Sequence, residues 1–318
     1  MRALIVTNMY PTPRRPALGS FVRDQIDALR RIPDVELDVF AFAPGGPGAY
    51  ARAGVELARR HRRRPFDVVH AHFGLTVWPA LAARGGARAV TLHGTDLAHP
   101  RSRVITLGGL RLVDLVGAVS EPLAHDVPRW ATRDPVAVLP CGVDMRRFRP
   151  IPRADARAHL GLDRDRPYLL FPADPRRAEK RHDRALALAE SEGVSLLTLG
   201  DVAPFEVPFW VNSATAVLVP SEREGFGLAV LEALACDVPV LATPVGIAPE
   251  ALEGVSGTYC AAFDLKAWRE ALAPHLVADD PRVPGRARAE PFSSDRMAAR
   301  LLDAWRGLAP DRSRRRAR

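Results

Sequence analysis

Short apolar runs of strand length alternate with helical stretches along almost the whole chain, and few folds tolerate that rhythm. In the first half the runs fall at residues 3–7, 35–42, 66–70, 89–93, 115–120 and 136–139, with helices expected over 20–31 and 50–63. In the second half they fall at 168–171, 195–199, 216–219 and 238–242, with helices over 154–160, 180–190 and from Leu228 onward. Strict alternation of this kind predicts parallel sheets covered by helices on both faces. A Pro-rich passage at 139–152 interrupts the pattern at the midpoint and reads as a hinge. At 318 residues the chain also exceeds the size at which one hydrophobic core usually stops growing. The expectation is an α/β protein of two doubly wound domains, 1–148 and 149–292, facing across a cleft. Ligands would then bind outside the carboxyl ends of the strands.

Composition narrows the class. A hydrophobic fraction of 47% and a charged fraction of 26% are those of a globular protein. No apolar run reaches the length of a membrane span. The opening residues read as a first strand and not as a secretion signal, which leads to an expected cytoplasmic location. Cys141, Cys236 and Cys260 are scattered, which fits reduced thiols better than a disulfide framework or a zinc site. The formal charge of +8 favours anionic partners. Two clusters concentrate it: Arg59-Arg60-His61-Arg62-Arg63-Arg64, and the segment 311–318, expected to be a disordered basic tail. The first cluster reads either as a solvated helix end or as a membrane-facing patch. Aromatic residues are not interleaved with the basic clusters, so nucleic acid is not an expected partner.

The most specific local pattern follows the apolar run at 216–219. Glu224-Gly225-Phe226-Gly227 leads into a helix at Leu228, with Leu231 and Leu234 facing inward and Glu232 seven residues beyond the first glutamate's neighbour. Backbone N–H groups at such a helix start suit a diphosphate. At roughly 1.5 Å per residue, Glu224 and Glu232 would stand about 12 Å apart along the axis, one within reach of a hexose and the other of a ribose. By geometry alone, an equally good account has Glu224 complementing the helix dipole and Glu232 on a solvated face.

The wording of the segment, Glu-Gly-Phe-Gly followed by Leu-Glu-Ala-Leu-Ala and Val-Pro-Val, resembles the glutamate-x7-glutamate signature of family-4-type retaining glycosyltransferases. That family includes enzymes of teichuronic-acid and other cell-surface polysaccharide synthesis. The resemblance implies the GT-B architecture of two Rossmann-like domains, with a C-terminal helix over 293–310 crossing back to the first domain. It implies a hexose moved from a nucleotide diphosphate sugar to a lipid-linked or polysaccharide acceptor, in the cytoplasm or peripherally at the inner membrane face, with no metal and no cofactor. The catalytic positions it implies are His93, Lys180 and Glu224. Gly19, Arg176, Lys180, Glu224, Gly225, Phe226, Gly227, Leu228 and Glu232 would bind the donor, and Tyr10, Arg23 and Asp96 the acceptor.

The residues support these assignments unevenly. Lys180 follows a strand and opens a helix, as the family's phosphate-binding lysine does, but Ala173-Asp174 stands where the family has glycine-arginine, leaving Arg176 or Arg177 to substitute. His93-Gly94-Thr95-Asp96 turns at a strand end, and resembles the family's histidine loop beside the transferred sugar. Gly19 admits a close phosphate or acceptor, or else Ser20 simply caps a helix. His70 and His72 share one strand face without a third ligand, so a metal is not expected. The stretch between Lys180 and Glu224 lacks one strand-helix unit usual for the family, which shortens the second domain. That absence also keeps open a non-catalytic role as a sugar-nucleotide-binding or assembly subunit.

Overall fold

The computed structural model describes residues 1–13, 15–60, 64–200 and 202–308. The basic run at 61–63 and the expected tail at 311–318 lie outside the described residues. The chain forms two compact units. One comprises Met1–Gly142 with the helix Ser294–Gly307, and the other comprises Val143–Ser293.

The first unit is built on six parallel strands in the order β2-β1-β3-β4-β5-β6. They are β1 (Arg2–Thr7), β2 (Glu36–Ala41), β3 (Phe66–His72), β4 (Gly85–Leu92), β5 (Leu115–Ala118) and β6 (Ala137–Val138). Ala3, Leu4, Ile5 and Val6 are all fully buried, because helices cover both faces of the sheet and a central strand has no polar side. The helix Ser20–Arg30 buries Val22, Ile26 and Leu29, the stripe that a 3.6-residue period produces. Against it packs the helix Ser294–Gly307, which buries Met297, Leu301, Leu302 and Trp305. Arg31 grips Asp295 at 2.5 Å at the mouth of this pair.

The second unit carries five parallel strands in the order β11-β10-β9-β7-β8. These are β7 (Tyr168–Phe171), β8 (Ser195–Thr198), β9 (Ala216–Val219), β10 (Val240–Ala242) and β11 (Tyr259–Cys260). Leu169, Phe171, Leu188, Leu218, Leu241 and Trp268 form its core. Among the described residues, the short helix Val207–Ser213 is the one helix between β8 and β9, and β8 is an edge of the sheet.

Three boundaries differ from the sequence reading. The first crossing between units is Gly142 to Val143, six residues earlier than the expected 148/149, and the second is Ser293 to Ser294. The Val143 amide donates to the Phe292 carbonyl at 2.9 Å, so the entering and leaving strands are tied together and the Pro-rich stretch beyond belongs wholly to the second unit. The helix expected from residue 180 begins at His182, because Arg181 takes a left-handed backbone (φ 57°) after a 3-10 turn at Ala178–Lys180. The Leu228–Ala235 helix starts four residues after Glu224. The estimate of about 12 Å along one axis therefore fails, since helical rise from Leu228 to Glu232 supplies only about 6 Å.

Strand order reverses between β1 and β3 in the first unit, and between β7 and β9 in the second. Such switch points open a crevice at the strands' carboxyl ends, where ligands of open α/β sheets bind.

Candidate active site

In the second unit the two loops at the switch point bring Lys180 and Glu224 together. Lys180 Nζ lies 2.5 Å from Glu224 Oε2, and Ser221 Oγ donates to Glu224 Oε1 at 2.7 Å. The pair is largely withdrawn from solvent, with side chains 15% and 8% exposed. Desolvation strengthens such a contact and makes removal of either partner costly. The loops are joined further by the Glu222 amide on the Glu179 carbonyl at 2.9 Å, and by Arg181 between Glu222 and Asp183.

Beyond Glu224 the chain passes Gly225 and the buried Phe226 to Gly227, whose φ of 98° turns it into the Leu228 helix. No side chain caps that helix start. The first amides of a helix lack intrahelical acceptors, so this terminus is a ready anion site. Glu232 stands half-buried in the second turn. Behind the loop, Gly246 (φ 60°) is required by crowding: a Cβ there would sit 2.4 Å from the Phe226 carbonyl oxygen and 2.8 Å from Glu224 Cβ.

The substitute arginines are engaged elsewhere. Arg176 forks onto Asp174 at 2.8 and 3.0 Å, and holds that carboxyl below its usual range. Arg177 pairs with Glu179 at 2.7 Å. Both arginines are exposed, and ion pairs near a surface are worth about 1 kcal/mol or less.

At the carboxyl ends of β3 and β4, next to the switch point, the first unit is neutral in character. His93 follows β4, its ring half-buried and tilted against Phe21 at 4.8 Å between centroids. His72 stacks beneath it at 5.3 Å, with His72 Nδ1 3.0 Å from His93 Nε2. His70 stacks on His72 at 4.9 Å and receives the Trp305 indole N–H on Nδ1 at 2.8 Å. Burial drives the pKa of all three imidazoles down, that of His72 to about 3 and those of His70 and His93 well below the ordinary histidine value, so the stack is uncharged at neutral pH.

Asp96 requires a correction. Expected near the acceptor, it is 0% exposed, and its two oxygens accept the amides of Gly74 at 2.5 Å and His93 at 2.6 Å. Burial raises its pKa while those amides oppose the rise, and the residue clamps the histidine loop through them. At Gly19 (φ 64°) a Cβ would lie 2.2 Å from the Met9 carbonyl oxygen, so the protein's own loop already demands glycine there. Arg23 is half-buried and bonded to Asp24 at 2.9 Å, and Tyr10 packs half-buried on the core beside it.

Sequence reasoning missed Ser221, Gly246, Phe21 and the coupling of His72 and Trp305 to His93. The alternation of His70 and His72 on β3 was the one signal available, since it places both rings on the side that β4 and His93 share. The first unit also holds an apolar cavity of about 800 Å³ lined by Tyr50, Val55, Leu75, Trp78, Ile105 and Arg101. Leu75 is the neighbour of the Gly74 that binds Asp96, so one end of this cavity adjoins the histidine loop.

Residues 5–147 match the family described as Glycosyltransferase Family 4, and residues 173–277 match Glycosyl transferases group 1. A D-inositol 3-phosphate glycosyltransferase of Frankia alni is 31% identical over 320 residues, covering 81% of this chain and 76% of that protein. The enzyme of the same name from Streptomyces scabiei is 30% identical, covering 81% and 72%. Among solved structures, a sucrose-phosphate synthase from Thermosynechococcus elongatus superposes with a TM-score of 0.74 at 18% identity, covering 97% of this chain and 99% of that one. Anabaena HepE in complex with UDP and glucose gives 0.72 at 14% identity, covering 96% and 99%. At these identities the structural likeness speaks to the GT-B fold alone. Among the described residues, no helix is long and apolar enough to cross a membrane.

Proposed function

Because the chain belongs to the group 1 glycosyltransferases, we propose that it moves a hexose, with retention of configuration, from a nucleotide diphosphate sugar to a lipid-linked or cell-surface polysaccharide acceptor. The observation that carries this reading is the withdrawn Lys180–Glu224 pair beside an uncapped, glycine-led helix start. Charge builds on the departing diphosphate during transfer, and a preorganised cation with main-chain amides stabilises it. Lys180 exchanges Glu224 for phosphate when donor binds. Glu224 is then released toward the sugar hydroxyls, Gly225 to Leu228 present their main chain to the diphosphate, and Glu232 takes the ribose. Arg176 joins the phosphate by leaving Asp174. The first unit contributes His93 to the sugar and Tyr10 and Arg23 to the acceptor.

These groups supply the stabilisation that a metal would otherwise give, so transfer proceeds in the presence of EDTA. The lipid-linked reading draws support from the apolar cavity, where Trp78 is 42% and Val55 51% exposed beside Arg101. Its helix wall also carries Arg52, Arg59 and Arg60. An apolar trough edged with cations suits a hydrocarbon tail with a phosphate head, and fits peripheral contact at the cytoplasmic membrane face. A second acceptor reading, a phosphorylated polyol, rests on the name shared by the relatives at 30–31% identity.

The deciding experiment offers UDP-, GDP-, ADP- and dTDP-sugars with either a polyprenyl phosphate-linked glycan or inositol phosphate, and follows nucleotide release and product. Turnover with one donor and a lipid-linked product supports the first reading, and an inositol-phosphate product the second. Thermal stabilisation by a nucleotide sugar with no turnover would mark the chain as a binding or assembly subunit.

A further inference from the structure

The histidine stack contains enough hydrogen-bond information to assign its protons. An indole N–H only donates, so the 2.8 Å contact from Trp305 makes His70 Nδ1 an acceptor. A neutral imidazole has one N–H, and that of His70 therefore sits on Nε2 and is donated to Thr91 Oγ1 at 2.8 Å. For His72 the alternatives are a proton on Nδ1, facing His93 Nε2 at 3.0 Å, or on Nε2. His72 Nε2 is buried with no partner. A proton there would be an orphaned buried donor, which folded proteins avoid more strictly than an unfilled acceptor lone pair. The proton accordingly lies on Nδ1, and His93 Nε2 accepts it.

We propose that His72 is a positioning residue that holds His93 in its Nδ1–H tautomer, so that the open edge of the ring presents a fixed hydrogen-bond donor and not a base. The peptide amide of His93 is clamped by Asp96 and its ring rests on Phe21, so the direction of that donor is set as well as its identity. The group that meets His93 must therefore offer an oxygen lone pair, as a sugar hydroxyl or a phosphate oxygen does. A substrate amine or guanidinium at that place would be rejected. The nature of the bound group rests on the glycosyl-transfer reading, whereas the tautomer itself rests on hydrogen bonding alone.

The test uses the full chain with isotope-labelled histidine at neutral pH, where side-chain ¹⁵N and ¹³Cδ2 shifts distinguish Nδ1–H from Nε2–H. Loss of one signal set in His93→Asn provides the assignment. Wild-type His93 is expected as Nδ1–H, and finding it as Nε2–H would overturn the proposal. In His72→Phe, which keeps the ring but loses the donor, His93 should move toward Nε2–H, and retention of Nδ1–H would equally overturn it. His72→Asn places an amide N–H near the lost Nδ1 and should restore the tautomer. If His72→Phe does not fold, the wild-type and His72→Asn spectra still decide the matter. In the transfer assay His72→Phe should lower kcat/KM about tenfold, the worth of one misdirected hydrogen bond, with His72→Asn recovering most of the loss. Should His93→Asn leave transfer unchanged, the assignment of His93 to the sugar fails while the tautomer stands.

Discussion

The two units wind alike and equip their switch points differently. In each, the strand order turns back after the first pair; the polar residues follow β7 and β9 in the second unit, and sit at the ends of β3 and β4 in the first. The second unit fills that place with charge: Lys180 on Glu224, Arg181 on Glu222 and Asp183, and Arg176 on Asp174. The first unit fills it with uncharged rings and one buried carboxylate that binds main-chain amides. Outer ion pairs such as Arg176–Asp174 are weak enough to be traded for an incoming phosphate, the withdrawn Lys180–Glu224 pair needs a new counter-charge for each partner, and a buried neutral stack holds direction. A nucleotide diphosphate sugar presents both demands, a charged end that needs compensating cations and a hydroxylated end that needs aimed hydrogen bonds.

That contrast can be broken most severely from the neutral side. Trp305→Ala removes a fully buried ring and the donor that fixes His70, and should cost about 3–5 kcal/mol of stability, read by denaturant melts. Trp305→Phe, which keeps the bulk, should recover most of it. On the charged side, Lys180→Ala should raise the transfer barrier by about 3 kcal/mol, seen mainly in kcat, and an unchanged kcat would remove Lys180 from the reaction. Glu232→Ala should weaken donor binding about tenfold in calorimetry, because the ribose loses a charged acceptor. A further effect belongs to pH. Below about 6.5 the unfolded chain protonates His70, His72 and His93 while the folded stack resists, so the unfolded state binds more protons. Stability should therefore fall as pH drops from 6.5 toward about 3, the His72 value, with melts that decline through that window. A flat profile there would show the rings to be solvated. Least of all, Arg176→Ala should change donor affinity by a few-fold at most, since Asp174 already holds the charge of this exposed arginine.

Much of the architecture was legible because burial on both faces leaves a continuous apolar signature, and runs such as 3–7 and 216–219 mark β1 and β9 almost to the residue. The two-residue strand β11 and the short helices near it have no period to detect. Arg181 shows another limit: nothing in its neighbours announces a left-handed arginine, so the helix start was read two residues early. In the site, Lys180 and Glu224 could be singled out by type and by motif, and their meeting could not, since it depends on β7 and β9 being sheet neighbours. Asp96 shows the same limit, because a carboxylate beside a histidine looks the same in sequence whether it faces a ligand or two peptide amides.

The chain leaves the first unit at Gly142 and returns at Ser294, so on the ribosome the second unit is complete before the first. The histidine stack must wait for the last helix, because the indole that fixes His70 is among the final described residues to emerge. A chain released after Ser293 would carry a finished second unit and an unlatched first one. Synthesis itself thus sets an order in which the charged half is built first and the aimed half is locked last.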